Sequence, residues 1–353
     1  MSRFYDKKYD GLKTYTPGEQ PRNISEYVKL NTNESPFPPS SEALRLSSEE
    51  LLRLNLYPDP EAKVLRKEIA DYYSLGSENV AVFNGSDELL SFCFQILSPN
   101  GVAFADVTYG FYPVYANVFD RRADVVPLRD DFTIEVADYK GIKGTVYIAN
   151  PNATTGLALP LAKIEELLSQ DRDRLVVVDE AYVDFGTDSA VSLINKYDNL
   201  LVVQTMSKSR SFAGARLGIA ISNTDVIADL NRIRYCFNPY NINRVTLAGA
   251  TGAFRDKAYF TECCKVIIEN REYLKRSLRD LGFFVTDSKS NFVLAGTPKI
   301  DGKQLYLKLK DQKVLVRHFS DGRVSPYVRI TIGTREQTDI LIDKIKNLLE
   351  EEL

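Results

Sequence analysis

A chain of 353 residues with 45 basic against 48 acidic side chains, net −3, is long enough for two packed units and shows no basic stripe suited to nucleic acid. No apolar run approaches membrane-spanning length, and Met1-Ser2-Arg3-Phe4-Tyr5-Asp6-Lys7 lacks the apolar region of a secretion signal. Cys93, Cys236, Cys263 and Cys264 stand at no metal or disulfide spacing and read as core thiols of a reducing, cytoplasmic compartment. The single histidine, His318, excludes a multi-histidine metal site and leaves lysine, tyrosine and carboxylates to carry catalysis.

Residues 1–40 are rich in proline, asparagine and tyrosine and show little periodicity; they read as an extended arm, with a turn at 12–19 and a short strand near 28–30. Tyr57-Pro58-Asp59-Pro60 then precedes a helix, with Asp59 as N-cap, Pro60 at the first helical position, and Leu65, Ile69, Tyr72 and Tyr73 on one face. A strand at 80–83 turns through Asn84-Gly85-Ser86-Asp87-Glu88 into an apolar helix at 89–97. Backbone N–H groups at such a helix start bind anions, yet Asp87 and Glu88 would repel a phosphate. Their side chains must point away, or Arg216 must hold the anion. The strand at 102–106 leads to Tyr109, a residue suited either to the core or to stacking on a flat ring.

A strand at 145–149 ends in Asn150-Pro151-Asn152-Ala153-Thr154-Thr155-Gly156, and helical character returns near 161–168. The strand at 174–178 ends in Asp179-Glu180-Ala181-Tyr182, so Asp179 either caps the next loop or faces a ligand at the sheet's C-terminal edge. The aliphatic run 200–203 leads into Thr205-Met206-Ser207-Lys208 and, eight positions on, Arg216. A lysine at the end of a buried strand loses solvation, which lowers its pKa and raises the neutral fraction that attacks a carbonyl. The hydroxyls and Arg216 suit a phosphate, so lysine and pocket together suggest a pyridoxal-phosphate Schiff base.

Strands alternating with helical stretches over 45–245, each strand a continuous aliphatic run, predict an α/β fold with a mostly parallel sheet covered by helices. After Arg244 a long amphipathic helix spans 256–281, short strands follow at 283–285, 292–294, 314–317 and 327–332, and Thr334 with Gln337 forms a capping box for a last helix. The predicted division is an arm, 1–40, joining the small unit and covering the site; a large cofactor-binding unit, 41–245; and a smaller α+β unit, 246–353.

Asn84-Gly85-Ser86-Asp87-Glu88, the Asn150 to Gly156 loop, Asp179-Glu180-Ala181-Tyr182, and Ser207-Lys208 with Arg216 resemble the fold-type-I pyridoxal-phosphate aminotransferases over nearly the whole chain. Tyr15-Thr16-Pro17-Gly18, Leu30-Asn31-Thr32-Asn33-Glu34-Ser35-Pro36, Tyr57-Pro58-Asp59, and Leu315-Val316-Arg317 with Arg329-Ile330-Thr331-Ile332-Gly333-Thr334 resemble the histidinol-phosphate aminotransferase branch. The resemblance implies that Lys208 binds the cofactor covalently and moves protons, and that Asp179 faces the pyridine nitrogen. It implies that Tyr182 and Asn152 reach the phenolic oxygen and Tyr109 stacks on the ring. Ser86, Asp87, Thr205, Ser207 and Arg216 hold the phosphate, with Tyr57 of the partner subunit completing it in a homodimer.

Tyr15, Asn33, Arg317 and Arg329 become the substrate-binding candidates, and His318 a rim residue. One departure stands out: Ala153 and Thr154 replace the family's second Asn and Pro, which leaves Asn152 as the loop's candidate for the phenolic oxygen. The implied reaction converts L-histidinol phosphate and 2-oxoglutarate to imidazole acetol phosphate and L-glutamate. An aromatic-amino-acid aminotransferase, a threonine-phosphate decarboxylase and a ligand-sensing regulator on the same fold are the other readings.

Overall fold

A computed structural model of the chain describes residues 2–12, 14–320 and 322–351; Lys13, inside the turn read at 12–19, lies outside them. In chain order the first strands are β1 (Val28–Lys29), β2 (Val80–Asn84), β3 (Val102–Ala105), β4 (Ala123–Val126), β5 (Thr145–Ala149), β6 (Val176–Asp179), β7 (Leu200–Thr205) and β8 (Leu217–Ser222). Seven of them form one sheet in the order β2-β8-β7-β6-β5-β3-β4. Only β8 runs against its neighbours, so the sheet is mostly parallel.

Every residue of β3, β5, β6, β7 and β8 is buried, the reason the first four read as continuous apolar runs; β4 and β8 are strands that the sequence reading did not mark. Alternate residues feed two cores. Val80, Val146, Val176, Leu200 and Ile219 pack on one face, while Ala81, Tyr147, Val177, Leu201 and Ala220 pack on the other. The helices laid on these faces are α1 (Ser41–Glu50), α2 (Lys63–Tyr73), α3 (Gly85–Ile96), α4 (Tyr112–Val118), α5 (Leu161–Ser169), α6 (Thr224–Phe237) and α7 (Arg244–Arg255). The polar residues at the C-terminal ends of β2, β3, β5, β6 and β7 therefore share one edge.

The helix expected from Pro60 starts three residues later, at Lys63. Ala62 sits at φ 47°, which interrupts helical winding, and Pro60 belongs to the preceding turn. Asp59 still caps: its carboxylate accepts from Glu61 N at 3.0 Å and Lys63 N at 2.9 Å.

Beyond α8 (Lys257–Asp280), strands β9 (Phe284–Val285), β10 (Phe292–Gly296), β12 (Arg317–His318) and β13 (Val328–Thr331) form an antiparallel sheet in the order β12-β13-β10-β9. The run 314–317, read as one strand, is split. Its first half, β11 (Val314–Leu315), pairs with β1 of the arm, and Arg317 pairs with Arg329. The arm is tied further by Leu30 N to Leu315 O at 2.8 Å and Thr331 N to Leu30 O at 3.0 Å. Ile267, Leu274 and Leu278 of α8 share a core with Leu305 of α9 (Gly302–Asp311) and Leu341, Ile345 and Leu348 of α10 (Arg335–Glu351). Thr334 N donates to Gln337 Oε1 at 3.0 Å and Gln337 N to Thr334 Oγ1 at 3.2 Å, the capping box expected there. Among the described residues, no helix is long and apolar enough to cross a membrane.

Candidate active site

A cavity of about 350 Å³ opens at the shared C-terminal edge of the large sheet and is lined by Lys208, Asp179, Tyr182, Tyr109, Ser86, Asp87, Thr205, Ser207 and Arg216, together with Thr32 and Glu34 from the arm. Of the residues expected at a cofactor, all but Asn152 and Tyr57 line it.

Lys208 stands three residues past β7. Its Nζ lies 3.4 Å from Thr32 O and 5.9 Å from the centre of the Tyr182 ring. Burial draws its pKa down to about 8, with the Arg329 charge acting in the same direction and Glu34 opposing it. Asp179, the last residue of β6, accepts from Tyr112 Oη at 2.9 Å and Ala181 N at 3.2 Å. Burial pushes its carboxyl up to about 6 against the pull of those two donors. Tyr112 was not singled out in the sequence; its place three residues after Tyr109, in an aromatic cluster, is the signal that could have found it.

The corner between β2 and α3 is built for an anion. Gly85 sits at φ 79°, and a Cβ there would lie 2.7 Å from Arg216 Nη2, so any other residue would strain the backbone and push the guanidinium aside. The first-turn N–H groups of α3, at Ser86 and Asp87, have no intrahelical partner by geometry. The Thr205 hydroxyl accepts from Ser207 N at 3.2 Å and donates to Ser207 Oγ at 3.0 Å. Glu88 points away, accepting from Asn84 N at 2.7 Å and Asn241 Nδ2 at 2.6 Å. Asp87 does not: it faces the cavity, taking Tyr109 Oη at 2.6 Å and Arg216 Nη2 at 2.9 Å. Half of the charge conflict is thereby removed, and Arg216 neutralises the rest.

Asn152 departs from its expected role. Its Nδ2 donates to Val107 O at 2.8 Å, and its Oδ1 accepts from Thr154 N and Thr155 N, both at 3.0 Å. The side chain braces its own loop and ties it to Val107, and the cavity wall at that point is Ala153. Thr154 replaces a proline's constraint with a hydrogen bond, Oγ1 to Thr108 O at 3.0 Å.

The substrate candidates divide. Arg329 Nη1 donates to Ala153 O at 2.9 Å, its charge lies over Phe292 and Phe319, and its Nε is buried without a hydrogen-bond partner. Arg317 is instead committed to the arm, donating to Thr16 O at 2.8 Å and Pro17 O at 3.1 Å. Those bonds set Tyr15 on Phe111, ring centres 4.3 Å apart, beside Gly110 and Tyr109. Asn33 does not open on the cavity: it is 1% exposed and bonds Tyr182 Oη at 3.0 Å. Tyr57 lies outside this chain's cavity, 77% exposed and stacked on Tyr240. His318 Nε2 pairs with Ser325 O at 2.9 Å, its ring stacks on Tyr306, and it does not line the cavity.

The family model for aminotransferases of class I and II matches residues 25–345. The chain belongs to this family. It is 48% identical over 354 residues to a histidinol-phosphate aminotransferase of Marinomonas sp., covering 99% of this chain and 100% of that one. Another, from Brachyspira hyodysenteriae, is 47% identical over 356 residues at the same coverage. Among solved structures, the aminotransferase is similar in fold to histidinol-phosphate aminotransferase from Sinorhizobium meliloti in complex with pyridoxal-5'-phosphate, with TM-score 0.88, 21% identity and full coverage of both chains. It is also similar in fold to L-threonine-O-3-phosphate decarboxylase from Porphyromonas gingivalis, with TM-score 0.79 and 23% identity over 92% of this chain and 99% of that one. The α/β scaffold is thus that of the fold-type-I aminotransferases.

Proposed function

We propose that this aminotransferase uses pyridoxal 5'-phosphate to exchange an amino group between L-histidinol phosphate and 2-oxoglutarate, yielding imidazole acetol phosphate and L-glutamate in histidine biosynthesis. The observation that carries the chemistry is Lys208, half-buried with its pKa drawn down to about 8 in a cavity that also holds Asp179 and the Arg216 corner. The substrate rests on the full-length relatives at 44–48% identity, all named for histidinol phosphate.

The donor set fits the cofactor. Arg216, the Ser86 and Asp87 N–H groups and the Thr205 and Ser207 hydroxyls would hold its phosphate, with Tyr109 against the ring. Asp179 would pair with the protonated ring nitrogen, and Tyr182 would donate to the ring oxygen; Asn152 is not carried forward in that role. Bound there, pyridoxal phosphate supplies an electron sink for the charge left when the substrate Cα loses its proton. Lys208, partly neutral near pH 8, takes that proton and returns it. Arg329, with an unsatisfied buried Nε, receives the anionic group of either substrate, phosphate in one half-reaction and carboxylate in the other. Arg317 and Tyr15 keep the arm over the site.

The active unit is a homodimer. Leu51, Leu52, Leu54, Leu56 and Tyr57 are 54–91% exposed, an apolar strip that water leaves unsatisfied, and Tyr57 of the partner subunit would complete the phosphate site. The division into arm, large unit and small unit remains part of this reading, and α7, which packs on α1 and gives Ala250, Ala253 and Phe254 to the large core, supports a boundary after Arg255 in place of the expected 245. The reaction needs neither nucleic acid nor a membrane and is placed in the cytoplasm.

Borohydride reduction of the loaded protein should fix the mass of pyridoxal phosphate on Lys208, and a substrate panel read by half-reaction absorbance should favour histidinol phosphate over histidinol, aromatic amino acids and threonine phosphate. Labelling at another lysine would end the cofactor reading. Equal turnover of histidinol and its phosphate would transfer the protein to the aromatic aminotransferases, and release of carbon dioxide from threonine phosphate to the decarboxylases.

A further inference from the structure

The hydroxyl proton of Tyr182 has a direction, and the arm sets it. Asn33 lies in the left-handed region, at φ 57°, and is 1% exposed. Its N–H donates to Thr331 Oγ1 at 2.9 Å, and its carbonyl accepts from Asn291 Nδ2 at 2.9 Å. In the side chain, Oδ1 accepts from Thr331 Oγ1 at 3.0 Å and Nδ2 donates to Tyr182 Oη at 3.0 Å.

The order of donors and acceptors in this chain is forced. A backbone N–H can only donate, so the Thr331 oxygen accepts there, and its one proton, which has no other protein acceptor among the described residues, goes to Asn33 Oδ1. That fixes the carbonyl end of the carboxamide on Thr331 and the amide end on Tyr182. The Tyr182 oxygen thus accepts from Asn33, and its own proton must go elsewhere. Among the described residues that proton has no protein acceptor, and Tyr182 lines the cavity. Burial raises the phenol's pKa, so the proton stays on. The charged groups acting on Tyr182 and the lysine beside it are Arg329, Arg216, Glu34, Asp179 and Asp87.

We propose that Asn33 and Thr331 are positioning residues for the transamination, locking the Tyr182 hydroxyl as a donor aimed at an anionic oxygen of the bound ring. The inference rests on the cofactor reading above. The arm is then more than a cover. Its asparagine carries a hydrogen-bond direction from β13, in the small sheet, to the ring.

The variants separate direction from packing. Asn33→Asp keeps the shape and tolerates the left-handed backbone, yet offers acceptors only, so the Tyr182 hydroxyl turns back toward it. Asn33→Gly keeps the backbone and deletes both side-chain bonds. Tyr182→Phe removes the donor outright. Each protein is loaded with pyridoxal phosphate, and the pH midpoint of its visible band is measured, with thermal unfolding of the cofactor-free protein alongside. A donor on the ring oxygen draws charge from it and weakens its hold on the proton shared with the lysine nitrogen, so losing the donor raises the midpoint.

Asn33→Asp and Tyr182→Phe should each raise the midpoint by roughly one to two pH units, the size of a hydrogen bond to a charged group. Asn33→Gly should raise it less. The double variant Asn33→Asp with Tyr182→Phe should match Tyr182→Phe alone, because both act through one proton. A wild-type midpoint in Asn33→Asp overturns the relay and leaves Asn33 a packing residue, as does a shift that adds in full to that of Tyr182→Phe, since a new charge acting alone would do that. A wild-type protein with no visible band overturns the cofactor reading itself, a failure distinct from either.

Discussion

Asp179→Asn should make the cofactor-free protein less sensitive to alkali and should nearly abolish catalysis by the loaded protein. The Asp179 carboxyl is raised from 3.8 to about 6 by burial, opposed by the Tyr112 and Ala181 donors. The folded chain therefore binds this proton more tightly than the unfolded chain, and stability falls as pH rises through that interval. At about 1.4 kcal/mol per pKa unit the full loss approaches 3 kcal/mol above pH 7, of which roughly 1.5 kcal/mol falls between pH 5 and pH 8. Asparagine has no proton to lose, and Tyr112 Oη can turn to accept from the new amide. Any fixed cost of the substitution cancels when two pH values are compared, as does Glu180, whose carboxyl burial pushes up to about 7 in both proteins. Urea unfolding of both cofactor-free proteins at the two pH values gives the difference directly. The loaded variant should transaminate slower by orders of magnitude, because the ring nitrogen loses the charge that keeps it protonated. Parallel pH dependences would show that the carboxyl is not held protonated by burial, and near-native turnover would reduce Asp179 to a loop cap.

Arg329→Ala should lower kcat/KM for histidinol phosphate by about ten- to a few hundred-fold, the loss of a charged hydrogen bond of 1.5–3 kcal/mol, and should hurt unphosphorylated histidinol far less; equal damage to both would make Arg329 structural. Tyr57→Phe should weaken cofactor retention by roughly 1–2 kcal/mol in a protein that sediments as a dimer, and a fully active monomer would contradict the shared site. Gly85→Ala should cost at least about 1–2 kcal/mol through its left-handed backbone and displace Arg216, so cofactor affinity should fall along with thermal stability; unchanged cofactor affinity would place the anion elsewhere.

Five strands of the large sheet were legible because they are buried on both faces and each is a short apolar run ended by a polar residue, whereas β4, exposed at the sheet's edge, and β8 were not read. β5 begins and ends where the apolar run does, at Thr145 and Ala149. Two misreadings have local causes. The helix at 63–73 was started too early because Asp59 and Pro60 are a genuine capping pair, and only the left-handed backbone at Ala62, which no residue type announces, separates them from it. The strand at 314–317 was read as one because its residues are uniformly strand-like. Its division depends on two partners distant in sequence, Val28 and Arg329, and register of that kind is set by tertiary contacts.

In the site the line falls between residue type and residue direction. Lys208 and Asp179 could be read because their position at the end of a buried strand dictates the edge they reach, whereas Arg216, exposed just before β8, was read from its spacing to Lys208. Asn152, Arg317 and Asn33 carry the right chemistry, but each has a backbone or side-chain partner nearer than a ligand: the Thr154 and Thr155 amides, the Thr16 and Pro17 carbonyls, and Tyr182 with Thr331. A polar side chain in a tight loop meets the loop's own unsatisfied amides first, because leaving them unpaired when buried costs more than a ligand contact gains. That is why Ala153 matters more than its small side chain suggests. With alanine at the wall and Asn152 turned inward, the ring oxygen of the proposed cofactor would find no partner from this loop, and its hydrogen bonding would fall to Tyr182, whose hydroxyl meets the asparagine of the arm.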